Sequence, residues 1–468
     1  MRRRIGQFGL LLGMLFLLSG CLSQSGESLY ALPRLPEDYL ALQDTIDGVM
    51  SELGAEYAAP TSGSNTQNIQ LQDLDGDGTQ ESAVAYFRVP GAEKPLRIYI
   101  FRQNQATEKY EAAWSVEGEG TAIYSVAFEN LGGTVDKEMV VNWQISTGVQ
   151  SMAAYSFQSG GDIVELMRSG YTRSAVVDID RDNEKEIVLL QLDTAENNSR
   201  AELYNYDGGQ MVLTSTAPLS LYITEIQAAK VGNLTNQIPA LFVSSDFGEN
   251  GGRVTDIIAL RDDVLTNLTL DETLKMSVST VRYYKDFQDA NGMDINSDGV
   301  LELPIPEPLP LVDETGAQMY MLHWIQYDLE GTATRVCSTV HCYDDSWYLT
   351  LPEEWLGEVT AVRRLGTTGY ERSVSFYHLP QLVEEPDAQS ETGDEEETQL
   401  PECFLTIYRL TGSNRTRRAT MDNRFVLFET SDVIYAARFW DVEWDCGVNS
   451  DELRAQFNRI RVEWSADS

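Results

Sequence analysis

The stretch that decides the fold runs from Leu71 to Ser82 and reads "LQDLDGDGTQES". Carboxylates occupy every second place from Asp73 to Asp77, two glycines interleave with them, and Glu81 closes the run. Like charges at that density repel one another unless a cation lies among them. Counted from the first acid, Asp73, Asp75 and Asp77 stand at places 1, 3 and 5, so their oxygens converge when the chain curls. Gly78 at place 6 can take the left-handed backbone that such a curl needs. The main-chain carbonyl of Thr79 at place 7 and the carboxylate of Glu81 at place 9 complete an all-oxygen shell. Calcium takes about six to eight hard oxygens in tolerant geometry, whereas magnesium holds to a strict octahedron and keeps its waters. The spacing predicts a structural Ca2+ loop.

The same spacing returns twice. One copy is Asp178, Asp180, Asp182, Asn183, Glu184 and Glu186; the other is Asp294, Asn296, Asp298, Gly299, Val300 and Glu302. Glu184 and Val300, like Thr79, stand at place 7. Two weaker echoes lie between them. In "AFENLGGTVDKEMVVNW", Asn130, Gly132 and Thr134 replace the acids while Glu138 survives; in "AAKVGNLTNQIPALFVS" the acids are gone. Asp, Asn and Gly also make ordinary β-turns, but a turn requires neither strict alternation of acids nor a Glu at place 9. An EF-hand requires a Glu at place 12 and flanking helices. Val84, Leu189 and Ile305 stand there instead, inside β-like runs, and the missing ligand and the repeat length also exclude a dockerin.

Aligning Leu74, Leu131, Ile179, Val231 and Ile295 gives a repeat of roughly 50–60 residues, the length of one four-stranded propeller blade. Further β-like runs, such as "LRIYIF", "MAAYSF", "AELYNY" and "DIIALR", fill each unit. The expected fold is therefore mainly β, a β-propeller of about five blades over 66–343, with a degenerate sixth copy in 310–350 left open. The three loops resemble the calcium loops of FG-GAP/VCBS repeats, the blades of integrin α-like propellers found in many bacterial surface proteins. The resemblance implies a propeller with structural calcium at the blade loops. It implies no particular ligand or activity, and the FG and GAP signatures themselves are not evident.

Composition changes near 344. From there "VSFYHL", "FLTIYRL", "RFVLFE" and "VIYAARF" read as strands. A closing helix is expected from Ser450, as N-cap, to Arg461, with Leu453, Phe457 and Ile460 on one face. This predicts a C-terminal α+β domain over 344–468, interrupted by an acidic, disordered loop at 383–399. Near the other end, residues 36–56 read as a helix. Pro36 suits its first turn, and Tyr39, Leu42, Ile46, Val49 and Leu53 form one apolar face.

The N-terminus carries Arg2, Arg3 and Arg4, then an apolar run too short to span a membrane comfortably. It ends in Leu18-Ser19-Gly20-Cys21, which resembles the lipobox of bacterial lipoproteins. That resemblance implies that 1–20 is a signal peptide, that Cys21 is acylated, and that 21–35 tethers an extracytoplasmic chain to the lipid membrane. The plainer reading is an ordinary signal peptide that happens to hold a cysteine.

With 468 residues the chain exceeds the size at which one core keeps growing. A net charge of −39 repels phosphate backbones, which excludes nucleic acid as a partner and favours cations. Cys337, Cys342, Cys403 and Cys446 allow three disulfide connectivities and force none. No nucleophile elbow, zinc helix, P-loop or dinucleotide motif occurs, and His323, His341 and His378 are scattered. The expected function is non-catalytic: a calcium-stabilised surface lipoprotein that binds a protein or a glycan. The alternative is an envelope polysaccharide hydrolase using carboxylates in a cleft.

Overall fold

The structure, a computed structural model, describes residues 37–460 except 105–106, 108, 133, 135, 158–161, 249–250, 284–291, 313–318, 366–368 and 380–400. Cys21, the 1–20 segment, the tether and the acidic 383–399 run lie outside the described residues.

The chain is mainly β, and its described residues form six antiparallel sheets. The first sheet holds β1 (Glu56–Tyr57), β2 (Ile69–Gln72), β3 (Ser82–Arg88), β4 (Leu96–Gln103) and β5 (Tyr110–Gly118). The second is a meander of β6 (Ala122–Glu129), β7 (Glu138–Ser146), β8 (Val149–Phe157) and β9 (Ile163–Tyr171). The third repeats it with β10 (Arg173–Val177), β11 (Glu186–Gln191), β12 (Arg200–Asp207) and β13 (Gln210–Pro218). The fourth has β14 (Ile223–Asn233), β15 (Pro239–Phe247), β16 (Gly252–Arg261) and β17 (Val264–Asn267), and β18 (Arg282–Tyr283) pairs with β16. In the fifth, the order is β19 (Leu303–Pro308), β20 (Tyr320–Tyr327), β21 (Ala333–Cys342) and β22 (Trp347–Thr350). The sixth is built from β23 (Val359–Leu365), β24 (Glu371–His378), β25 (Glu402–Leu410), β26 (Phe425–Glu429) and β27 (Ile434–Phe439), with β27 between β25 and β26. A last strand, β28 (Phe457–Arg459), returns to pair with β22.

Each sheet shares a hydrophobic core with the next one in chain order. Val84, Ile98 and Trp114 of the first sheet meet Val126, Met139 and Trp143 of the second. Val140 and Met152 meet Ile187 and Leu189 of the third. Val188 and Leu203 then meet Leu241 and Ile258 of the fourth, and Phe242 and Ile257 meet Leu303 and Tyr327 of the fifth. The fifth and sixth share the largest cluster, centred on Trp347, Trp355, Phe376 and Leu405. Central strands read as continuous apolar runs because both of their faces are covered; β11, "EIVLLQ", is buried along five of its six residues. Among the described residues, no cluster joins the sixth sheet to the first.

The helix α1 (Glu37–Leu53) covers the outer face of the first sheet. Leu42 and Ile46 are buried there against Ala83, Ala85, Phe87 and Phe101, each side chain stabilising the contact by about 1.5–3 kcal/mol. Among the described residues no helix is long and apolar enough to cross a membrane.

Three expectations shift. The closing helix, α3 (Ser450–Gln456), ends at Gln456 rather than Arg461, because Phe457 packs on Trp347 and Tyr435 and the chain continues as β28. Tertiary pairing overrides the helical pattern. Its cap is Asn449, not Ser450: Asn449 Oδ1 accepts from Asp451 N and Glu452 N, and Glu452 Oε2 accepts from Asn449 N, a closed capping box. (The short helix α2 spans Arg415–Ala419.) Third, Val231 lies within β14 and is 43% exposed, whereas Leu234, fully buried where β14 ends, takes the place that Leu74 holds in the first loop. The fourth repeat therefore sits three residues further on.

The fifth sheet runs straight across 343/344, the expected domain boundary, through the β21–β22 pairing. Between those strands Asp345, 1% exposed, meets Arg372 at 3.1 Å and Arg363 and Arg409 at 3.8 Å, all from the sixth sheet. Such a buried carboxylate is tolerable because three guanidinium groups surround it.

Candidate metal centres

All three acid-bearing loops occupy one place in their sheets, ahead of the strand that leads into the centre. The first joins β2 to β3 and the second β10 to β11; the third lies between Met293 and Glu302, which form a bridge ahead of β19. A buried aliphatic residue at place 2, Leu74 or Ile179, anchors the first two loops in the core, and Ile295 packs against Leu322 and Trp324. Backbone dihedrals repeat. Places 4 and 6 are left-handed in every copy: Gly76 and Gly78, Arg181 and Asn183, Ser297 and Gly299. These two reversals turn alternate side chains inward.

The hydrogen bonds repeat as well. Asp73 Oδ2 accepts from Gly78 N at 3.1 Å, Asp178 Oδ2 from Asn183 N at 3.1 Å, and Asp294 Oδ2 from Gly299 N at 2.9 Å. At place 5, Asp77, Asp182 and Asp298 each accept from the N–H of place 7, which belongs to Thr79, Glu184 and Val300. At place 9, Glu186 Oε2 and Glu302 Oε2 each accept from the N–H of place 2 at 2.9 Å. Glu138 makes the same bond to Leu131 N in the acid-poor second loop. The Glu at place 9 thus keeps its structural bond in the second loop, where the acids of places 1, 3 and 5 have gone.

Carboxylate oxygens gather within 4.8 Å of one another in three groups: Asp73, Asp75, Asp77 and Glu81; Asp178, Asp180 and Glu186; Asp294, Asp298 and Glu302. Asp182 stays outside its group, and the amide of Asn296 donates to Asp298 Oδ2 at 2.9 Å. Thr79, Glu184 and Val300 take part here through their main-chain N–H; Thr79 O accepts from Glu81 N at 3.2 Å. Electrostatics record the crowding. Burial pushes Glu186 up to about 7, the charges of Asp180, Asp182 and Asp178 add to it, and the Ile179 N–H opposes it. Burial likewise raises Glu302, Glu138 and Asp180 above the usual carboxylate range.

The residues fit a hard cation. Asp73 Oδ1 and Glu81 Oε2 are buried with no hydrogen-bond partner, and a buried oxygen without a partner is costly. Glu186 and Glu302 are 3% and 0% exposed. An all-oxygen set of this kind suits calcium, which would neutralise the carboxylates and fix the curl.

Side chains from outside the loops also reach them. Arg102 on β4 lies 3.2 Å from Asp75 and 3.5 Å from Glu81, and Lys137 lies 3.8 Å from Asp73. Gln326 on β20 donates to Asp298 Oδ2 at 2.7 Å and Glu302 Oε1 at 2.8 Å. None of these is legible from loop spacing: strand pairing brings in Arg102 and Gln326, and the neighbouring loop between β6 and β7 brings in Lys137.

One further constellation has the distances of hydrolytic chemistry. His323 Nδ1 lies 2.8 Å from Ser338 Oγ, and its Nε2 lies 2.7 Å from Glu307 Oε2. The order of exposure is reversed from a working triad, where the acid is buried and the nucleophile open. Here Ser338 is 1% exposed and Glu307 faces solvent, so no substrate reaches the hydroxyl. Cys337, Cys342, Cys403 and Cys446 are free thiols. Burial raises all four above the usual thiol range, which makes them poor nucleophiles.

No protein-family profile matches the chain, and no curated protein does. Among solved structures it is similar to Sqt1 of Saccharomyces cerevisiae, at 10% identity and a TM-score of 0.24, over 64% of this chain and 78% of that one. It is also similar to an endo-arabinase from Bacteroides thetaiotaomicron, at 10% identity and a TM-score of 0.25, over 61% of this chain and 96% of that one. Likeness at these scores decides neither fold nor function.

Proposed function

We propose that the chain is a non-catalytic, extracytoplasmic lipoprotein, held to the cell membrane through acylated Cys21, whose calcium-stapled β-propeller binds a protein or glycan partner. The five loop-bearing sheets are its blades, and the sixth sheet extends the stack. One observation carries the reading: three loops with one spacing, in one place of their sheets, gather carboxylates whose buried oxygens include ones without a partner. The meandering sheets and their shared cores support a blade arrangement. The acidic surface disfavours nucleic acid and leaves protein and glycan as partners.

Cation binding to the folded state alone stabilises it by mass action, about 2.7 kcal/mol per site at a hundredfold excess over Kd. Melting of the purified chain is expected to rise by several degrees from chelator to millimolar Ca2+, and less in equimolar Mg2+. Equal melting in all three solutions would remove the stapling role. Labelled palmitate should enter the wild-type chain in a bacterial host and not the Cys21→Ala variant.

A further inference from the structure

We propose that the two acid-poor loops act as clasps for the ion loops that follow them, with Asn130 and Asn233 as positioning residues for cation binding at 178–186 and 294–302. The inference rests on the calcium reading above and assigns a role to the repeats that lack ligands. Each asparagine holds the first place of its loop, where the ion loops carry Asp73, Asp178 and Asp294. Asn130 Nδ2 donates to Asn183 O at 3.3 Å, and Asn233 Nδ2 donates to Gly299 O at 3.0 Å. Asn183 and Gly299 are the place-6 residues of their loops, with φ of 73° and 83°. The amide therefore grips the main chain at the reversal that turns the carboxylates inward.

The backbone returns the contact at place 8 of both ion loops. Lys185 N donates to Asn130 O at 2.7 Å, and Leu301 N donates to Asn233 O at 2.9 Å. Two bonds thus recur at equivalent places in two junctions whose sequences otherwise differ. At the second junction Gln237 Nε2 adds a bond to Asp298 O at 3.0 Å. Gly299 itself is favoured by its left-handed φ of 83°, and Gln237 Oε1 lies 2.9 Å from where a Cβ would stand.

Asparagine suits this task and aspartate does not. A carboxylate at that place has no proton to donate to a carbonyl, and it would add charge to a crowd of acids. Contacts leaving the ion loops keep a main-chain bond, with Lys137 N donating to Leu74 O at 2.8 Å, but among the described residues no amide grips place 6; instead Lys137 Nζ pairs with Asp73 and Arg181 Nη2 donates to Asn236 O. Ion loops and clasp loops alternate along the stack. A curl held from outside loses less conformational freedom when a cation gathers its ligands, which raises affinity without adding a ligand.

The test is a Ca2+ titration by calorimetry of the detergent-solubilised full chain, with terbium luminescence as a second readout. Asn130→Asp and Asn233→Asp are near-isosteric, and Asn130→Ala and Asn233→Ala remove the donor without adding charge. Each variant is expected to weaken one ion about threefold to tenfold, the worth of one hydrogen bond, and to leave the others unchanged. In an Asp180→Ala background the effect of Asn130→Ala should vanish. Unchanged affinities, with melting lowered equally with and without Ca2+, would overturn the clasp and leave a purely structural role. A wild-type chain that takes up no ion would instead overturn the calcium reading and the clasp with it, so the two failures are distinct.

Discussion

The loop at 73–81 and the loop at 178–186 share one spacing, one pair of backbone reversals and the turn hydrogen bonds accepted at places 1 and 5, yet differ in what neutralises them. The first carries cations of its own: Arg102 lies on Asp75 and Glu81, and Lys137 lies by Asp73. Among the described residues no Lys or Arg forms an ion pair with Asp178, Asp180 or Glu186. There the strain falls on the acid, and burial with neighbouring charge drives Glu186 up to about 7. Identical ligand spacing thus gives one loop that is partly self-neutralised and one that, on the proposed calcium reading, depends on an external ion. The difference comes from neighbouring strands and not from the motif.

Glu186→Gln tests the dependent loop and should show the largest effect. The amide keeps the shape and removes a buried charge. The variant is expected to melt at or above wild type in chelator and to lose one site's worth of calcium stabilisation, about 2.7 kcal/mol at a hundredfold excess over Kd. Melting in chelator and in Ca2+ separates the two effects; a full wild-type calcium response would show that Glu186 is not a ligand.

An acid titration of the ion-free chain sharpens the comparison from the fifth sheet, which carries the third loop. His341 is 7% exposed, stacks on Tyr348 at 4.8 Å and has no hydrogen-bond partner on either ring nitrogen. Burial lowers its pKa from 6.5 to about 3. The unfolded chain therefore takes the proton first. Stability from the neutral ring is complete above about pH 6.5 and declines as pH falls toward 3, by roughly 2 kcal/mol at pH 5. His341→Phe should flatten the difference in urea stability between pH 7 and pH 5 by about that amount. An unchanged slope would place the acid sensitivity elsewhere.

The smallest effect belongs to the self-neutralised loop. Arg102 is 38% exposed at its side chain, so its ion pairs are worth about 0.2–1 kcal/mol. Arg102→Gln should raise calcium affinity at 73–81 by about twofold to fivefold and narrow the gap between the loops. A fall in affinity would mean that Arg102 positions Glu81 instead of competing for it.

Most of what the sequence disclosed is local. Nine-residue spacing, the left-handed sixth place and the alternation of Asp73, Asp75 and Asp77 lie within one turn of chain, and the structure brings those oxygens together; the second reversal, at place 4, falls on Arg181 and Ser297 and carries no sequence signal. The helix expected at 36–56 was legible for the same reason, since Leu42 and Ile46 mark its buried face, but it ends at Leu53 and Glu56 pairs in β1 instead. What stayed hidden depends on pairing between distant segments. Arg102 and Gln326 reach the loops from the strand two further on, and their approach follows from register alone. Asn130 reads as a lost ligand until the next loop is placed beside it, and Asn233 reaches the first place of its loop only once Leu234 replaces Val231 in the alignment. Val231 and Leu234 are both apolar residues close to Gly232, and only the end of β14 shows which of them holds the buried place. Phe457 and Ile460 fit a helical face, but the partner strand β22 claims Phe457 for a sheet.

Calcium-binding stoichiometry of the purified chain, measured by calorimetry from chelated protein into millimolar Ca2+, tests the central claim most directly. The account predicts three bound ions, with the loop beside Arg102 filling last. A chain that binds none, or whose binding survives loss of Asp73, Asp178 and Asp294 together, would contradict it.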